Sequence, residues 1–135
     1  MTPFFFAYGT LRPDVTGALG KEQRARLQVE AEVVGPAHVT GQMILMGDYP
    51  GLIEGDGRVL GVIYQLKTPS DTLAWLDAYE GVRGQSSDEY QRVVREAQRN
   101  TGASVSVWFY LLKGFRIPNR HDIIHGGDWS TVIWS

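Results

Sequence analysis

Cysteine is absent from this chain of 135 residues. That removes disulfides, thiolate nucleophiles and cysteine-containing zinc sites, and it suits an intracellular protein. A surplus of one charge is absent too: 13 Lys and Arg face 15 Asp and Glu, for a formal net charge of -2. No basic stripe gathers that would attract a phosphate backbone, so no nucleic-acid partner is expected. Long hydrophobic runs are missing, since nothing approaches the roughly 20 apolar residues of a membrane span. The run Phe4–Ala7 has no basic flank and is too short for a signal-peptide core. Internal repeats, low-complexity tracts and Pro/Ser-rich linkers are missing as well. With 43% hydrophobic and 21% charged residues, near the globular average, the expectation is one soluble, cytoplasmic domain over residues 1–135, with no membrane contact.

What is present reads as strands joined by tight turns, with one well-marked helix. Pro3–Tyr8 is an apolar, aromatic-rich run that stops at Gly9, a buried strand entering a loop. Lys21–Gln28 is polar and made of good helix formers, so it reads as a short surface helix or as an extended loop. Glu30–Met46 is rich in Val, Ile and Leu but broken by Gly35-Pro36 and Gly41, which predicts two strands or one strongly bent strand. Asp56-Gly57, between Leu52-Ile53 and Val59–Leu66, predicts a tight hairpin turn. Asn100-Thr101-Gly102, between Glu89–Gln98 and Ala103–Leu112, predicts a second. On the latter strand Val105, Val107, Phe109 and Leu111 share one face.

The helix has Thr68 or Ser70 as its cap, Pro69 in the first turn, and Asp71 where the helix dipole favours negative charge. Leu73, Leu76 and Tyr79 or Glu80 recur at helical spacing, and Gly81 supplies the left-handed stop. About six strands with one main helix predict an α+β fold, a small, mainly antiparallel β-barrel or curved sheet. Alternating strand–helix units are absent, which argues against a doubly wound parallel sheet.

Three groups of residues invite a chemical reading. Glu80 ends the predicted helix, where the negative end of the dipole and neighbours such as Trp75 and Tyr79 raise a carboxyl pKa. A carboxyl tuned upward suits a general base and acid near neutral pH, although local sequence alone favours reading Glu80 as an exposed C-cap residue. Tyr8-Gly9-Thr10-Leu11 follows the first strand, and a glycine there lets successive backbone N–H groups form an anion site, or simply ends the strand. The spacing is not that of a P-loop. His121 and His125, with Asp128 close by, have the spacing of two metal ligands on one helical face. Pro118 and Gly126-Gly127 oppose a helix there, so no metal is assigned. His38 reads as structural, and Asp48, Glu54 and Asp56 miss the calcium-loop pattern.

Taken in order, the segments resemble the γ-glutamyl cyclotransferase-like superfamily, including its AIG2-like and γ-glutamylamine cyclotransferase branch. Phe6-Ala7-Tyr8-Gly9-Thr10-Leu11 is similar to its Y-G-(S/T)-L signature, and Tyr49-Pro50-Gly51-Leu52 to its Y-P-(A/G)-L segment. Gly61-Val62-Ile63-Tyr64 resembles the G-x-(V/I)-Y strand. Leu76-Asp77-Ala78-Tyr79-Glu80-Gly81 matches L-D-x-(Y/L)-E-G, with Tyr90 and Arg92 as the following Y-x-R. Trp108-Phe109-Tyr110 matches the late aromatic strand, and Gly127-Asp128-Trp129 a G-D-W near the C-terminus.

The resemblance implies a compact α+β barrel that needs neither metal nor organic cofactor. It implies Glu80 as the acid/base, the loop Tyr8, Gly9, Thr10 and Leu11 as substrate-binding through backbone amides, Tyr110 in the pocket wall, and Arg92 holding the sheet or that wall. The implied substrate is a small molecule, a γ-glutamyl amine or γ-glutamyl amino acid converted to 5-oxoproline and a free amine. Because such a substrate carries its own nucleophile, the lack of cysteine and of a Ser-His-Asp set is consistent with it. The alternative on the same scaffold is a non-catalytic ligand-binding or regulatory module. Val82–Glu89 reads as a polar insert over the pocket, and Gly114–His125 matches no family element.

Overall fold

The computed structural model describes residues 1–113 and 122–131. Its elements run β1 (Phe4–Ala7), α1 (Lys21–Glu30), β2 (Ala31–Leu45), β3 (Pro50–Leu66), α2 (Pro69–Glu80), β4 (Tyr90–Arg99) and β5 (Ser104–Leu112), with a 3-10 turn at Trp129–Thr131. Among the described residues the strands close a barrel in the order β1-β3-β2-β4-β5. All pairings are antiparallel except β1 with β5, which meet in parallel at Phe5 and Trp108. The α+β barrel is therefore as expected. Among the described residues it has five strands, and Lys21–Glu30 takes the helical of its two readings.

The strand count falls short of six because β2 and β3 are each continuous. They pair along their whole length, from Ala31 opposite Leu66 to Leu45 opposite Pro50. Register slips at Val33/Gly35 and Thr40/Gln42 bend them, so Glu30–Met46 is the single bent strand. Asp56-Gly57 is not a hairpin turn. Thr40 faces Arg58 and Gln42 faces Ile53, so residues 54–57 bulge out of β3 opposite Gly41. Glycine permits this by closeness rather than by left-handed backbone: a Cβ on Gly57 would lie 3.0 Å from the Gly41 carbonyl, and one on Gly41 2.9 Å from that of Ile53. The true hairpin lies at Met46–Tyr49, where Gly47 takes φ 97 and the Met46 N–H donates to the Tyr49 carbonyl at 2.8 Å. The Asn100-Thr101-Gly102 turn forms as predicted, with Gly102 at φ 90 and its N–H on the Arg99 carbonyl.

Helix α2 stops as its sequence dictates. Gly81 is left-handed at φ 72, and the Val82 N–H returns to the Asp77 carbonyl at 2.8 Å. Thr68 holds the cap position without a side-chain hydrogen bond. Leu73 and Leu76 are fully buried, each contributing roughly 2 kcal/mol by the apolar area removed from water.

The core has two compartments. Phe6, Val39, Met43, Leu52, Val59, Ile63, Ala97, Val107, Phe109 and Leu111 fill the barrel from all five strands. Phe5, Tyr64, Tyr110 and Leu112, from the opposite strand faces, pack with Leu27 of α1 and with Leu73 and Leu76 of α2. Both faces of β1 and β5 are thus buried, and the end of β1 lies where the two compartments meet. Among the described residues no helix is long and apolar enough to cross a membrane.

Candidate active site

The chain leaves β1 into a turn in which the carbonyls of Gly9, Thr10 and Leu11 are engaged. The Arg12 N–H donates to the Gly9 carbonyl at 3.1 Å, the Arg24 guanidinium to that of Thr10 at 2.7 Å, and the Tyr64 hydroxyl to that of Leu11 at 2.7 Å. Gly9 is required by contact, because a Cβ there would lie 2.7 Å from Cγ of Pro50. Arg12 fastens the turn to the C-terminal segment. Its guanidinium binds Asp14 at 2.6 Å and Asp128 at 2.7 Å. Beside Asp128, Gly127 is left-handed and so close to the Arg58 carbonyl that a Cβ would collide with it, and Trp129 is buried in the barrel.

A cavity of about 290 Å³ opens beside this turn. Tyr8, Gly9, Thr10, Leu11, Tyr110 and Glu80 all line it, so six of the seven residues singled out from the sequence share one space. Glu80 reaches it from the last position of α2, as the helix stop at Gly81 requires. The Glu80 side chain is half-buried, and no described residue forms an ion pair or hydrogen bond with it. Its pKa is pushed up to about 7, first by burial and then by the like charge of Glu89. Tyrosines surround it. Tyr8 donates to the Tyr110 carbonyl at 2.6 Å, Tyr90 to the Pro50 carbonyl at 3.2 Å, and Tyr110 to Asp77 Oδ1 at 2.7 Å. Burial raises the pKa of all three, and Glu80 adds to it. They therefore remain neutral, presenting apolar rings and committed hydroxyls.

Arg92 is the seventh, and it stands behind the wall. Its Nε pairs with Asp77 Oδ1 at 3.0 Å, the oxygen that also receives Tyr110, and its guanidinium stacks on Trp108 at 4.5 Å. It thereby holds the wall that Tyr110 belongs to. The segment Val82–Glu89 is pinned by the Asp88 carboxylate, which accepts the N–H groups of Arg83 and Gln85. It sets Glu89 beside the cavity, accepting from Tyr49 at 3.0 Å.

Tyr49, Pro50, Tyr79, Tyr90 and Leu19 also line the cavity without having been singled out as site residues. The Tyr49-Pro50 pair was visible as a family-like segment, and its job is now physical: Pro50 closes on Gly9. Leu19 and the buried Arg24 carried no such signal. Among the described residues no group of three His, Asp or Glu side chains is placed to hold a metal. His121 lies outside the described residues, as does most of Gly114–His125, while His125 is exposed and His38 sits half-buried within β2.

A family model described as gamma-glutamyl cyclotransferase, AIG2-like, matches residues 5–131. A Vibrio cholerae protein, named provisionally as a gamma-glutamylcyclotransferase, is 31% identical over 98% of this chain and 100% of its own length. The gamma-glutamylcyclotransferase family protein YtfP of Escherichia coli is 29% identical over 92% of this chain and 93% of its own. The solution structure of E. coli ytfP aligns with a TM-score of 0.60 at 26% identity, over 95% of this chain and 96% of that one. A Mus musculus AIG2-like protein shares the fold, with a TM-score of 0.67 at 22% identity over 84% of this chain and 79% of that one. By the span of the family match and the identity to its relatives, the chain belongs to the AIG2-like gamma-glutamyl cyclotransferase family.

Proposed function

We propose that this chain is a cofactor-independent cyclotransferase that converts a γ-glutamyl amine or γ-glutamyl amino acid to 5-oxoproline and a free amine, with Glu80 as the one acid/base. The observation that carries the reading is Glu80: a carboxyl with a pKa of about 7, facing the same cavity as the Tyr8–Leu11 turn. An α-amino group ordinarily titrates near 8, so Glu80 is matched to take its proton at neutral pH. The freed amine then attacks the γ-carbonyl carbon within the same molecule. A new C–N bond closes the five-membered lactam and the original amide C–N bond breaks. Glu80 passes the proton it took to the leaving nitrogen, and the second proton that the ring nitrogen sheds on becoming a lactam follows through the same carboxylate, so the amine departs as its ammonium form. Atoms and charge balance with no external nucleophile.

The walls supply orientation. Tyr8, Tyr90 and Tyr110, their hydroxyls already committed, offer apolar surface to the glutamyl methylenes, and the amides of the turn bind an anionic group of the substrate. A cavity of about 290 Å³ suits the glutamyl part of such a substrate better than a peptide. The test is release of 5-oxoproline from a panel of γ-glutamyl amines and γ-glutamyl amino acids. Turnover of at least one, saturable and free of added metal, is expected. Silence across the panel at high enzyme concentration would sink the reading.

A further inference from the structure

We propose that Arg24 is a positioning residue that makes the Thr10–Leu11 peptide the main anion donor of the cavity, and that the anion it serves is the α-carboxylate of the substrate. The identity of the anion rests on the cyclotransferase reading; the rest stands on geometry. Arg24 lies on α1 and is only 9% exposed, yet among the described residues no carboxylate pairs with it. Its donors go to backbone carbonyls instead: Thr10 at 2.7 Å, Leu19 at 2.8 Å and Gly17 at 2.6 Å. The carbonyls satisfy its hydrogen bonds but leave its charge unneutralised, which is costly in a buried place unless an anion comes near.

The direction of the effect follows from the planar peptide. In a trans peptide the C=O and the N–H point to opposite sides, and none of the described peptides is cis. Fixing the Thr10 carbonyl on Arg24 therefore turns the Leu11 N–H away from the guanidinium. In the same way, the Gly9 carbonyl held by Arg12 orients the Thr10 N–H. Among the described residues no acceptor meets the N–H of Thr10 or of Leu11, and both residues line the cavity. A charged donor on a peptide carbonyl also polarises that peptide and strengthens its N–H as a donor.

The arrangement is held rigidly. Gly20, left-handed at the start of α1, lies against Thr10 so that a Cβ would approach its hydroxyl to 3.1 Å. The charge of Arg24 reaches the cavity: burial and Glu80 raise the pKa of the Tyr79 hydroxyl, and a hydrogen bond with the Thr10 side chain and, to a lesser degree, the Arg24 charge work against them. A permanent cation favours a permanent anion. The substrate carboxylate is charged in the ground state, whereas the oxyanion exists only in passing.

The experiment is a titration of isotopically labelled protein with 5-oxoproline and with its carboxamide, followed at the Leu11 amide resonance. Wild type is expected to prefer the acid by roughly tenfold to a hundredfold, the range of a charge-assisted hydrogen bond, with the Leu11 signal moving on saturation. Arg24→Gln should abolish most of that preference, and Arg24→Lys, a point charge without the fork, should fall between. Equal weakening of acid and amide in Arg24→Gln would leave Arg24 a scaffold residue and overturn the proposal. If Arg24→Gln does not fold, Arg24→Lys decides: a reduced acid preference supports the assignment and an unchanged one overturns it. In turnover, the Lys variant should raise KM at constant kcat, and a fall in kcat at constant KM would move the donor to the oxyanion and overturn the carboxylate. Absence of wild-type turnover would sink the cyclotransferase reading, while the 5-oxoproline titration would still judge Arg24.

Discussion

Glu30 and Glu80 occupy the same kind of position, each the last residue of a helix, and the molecule treats them in opposite ways. Glu30 is met by three donors. Thr72 and Trp75 of α2 reach its Oε1 at 2.6 and 2.9 Å, and Arg26 reaches its Oε2 at 2.6 Å. Burial works against its charge, but these hydrogen bonds together hold its pKa below the usual carboxylate value. Glu80 is met by none among the described residues, and burial and Glu89 lift it to about 7. Both carboxyls feel the negative end of a helix dipole, so the dipole does not separate them. The donors do. A carboxylate that is fully hydrogen-bonded is fastened and inert, and one left short of donors in a half-dry cavity exchanges protons. Glu30 ties α1 to α2, and Glu80 faces the cavity beside the Tyr8–Leu11 turn.

The hardest way to break the contrast is at Glu80. Glu80→Gln keeps the shape and removes the proton carrier, so kcat/KM for a γ-glutamyl substrate should fall by roughly 10²- to 10⁴-fold. The acid limb near pH 7 should vanish with it. Stability should move the other way. The Glu80 pKa is raised from its ordinary 4.5 to about 7, so the folded state holds its proton more tightly than the unfolded chain does. Wild type therefore loses stability as pH rises from 4.5 to 7, by up to about 3 kcal/mol. Above pH 7 the Gln variant should melt higher than wild type, and at pH 4 the two should coincide. A Gln variant that keeps full turnover would remove Glu80 from the chemistry.

Glu30 should answer with the opposite sign and less force. Its pKa is depressed below 4.5, so its stabilisation is present above that value and is lost as pH falls through the lower, folded value. Glu30→Ala leaves Thr72 and Trp75 without their acceptor and should cost roughly 1–3 kcal/mol at pH 7. Turnover per folded molecule should not change, since Glu30 does not line the cavity. Denaturant melts at pH 7 and pH 3 measure the first statement, and active-site-normalised rates measure the second. An undiminished gap between wild type and Glu30→Ala at pH 3 would show that packing, not charge, carries the bond.

The same contrast marks what was legible in the sequence. Glu80 was legible because the helix end is written locally, in Leu73, Leu76 and Gly81, and because the family-like segments stand in order along the chain. The role of Glu30 was not, for its partners lie 42 and 45 residues further on. Arg24 escaped for a related reason: its acceptors are carbonyls, and carbonyls carry no side-chain signature. Asp56-Gly57 misled because turn chemistry is a local signal. There the cause is distant, the approach of β3 to Gly41 on the neighbouring strand, which needs a residue without Cβ rather than one with positive φ. The strands, and an antiparallel barrel or curved sheet built from them, followed from short apolar runs bounded by turn residues with one main helix, whereas closure, register, bulges and the pinning of the turn depended on contacts that only the closed barrel makes.

The smallest effect separates the two causes acting on Glu80 itself. Burial and the charge of Glu89 both raise its pKa, but only the second is a charge that salt and mutation can remove. Glu89 is exposed, and its carboxylate accepts the Tyr49 hydroxyl at the edge of the cavity. Glu89→Gln should therefore move the acid limb of the kcat/KM profile to lower pH by a fraction of a pH unit, leaving most of the elevation in place because burial is the larger cause. Raising the ionic strength from 0.05 to about 0.5 M shortens the screening length from beyond 10 Å to near 4 Å. The limb of wild type should drift downward with salt, and that of Glu89→Gln should stay put. A wild-type limb indifferent to salt would assign the whole elevation to desolvation, and the contrast with Glu30 would then rest on buried surface and missing donors alone.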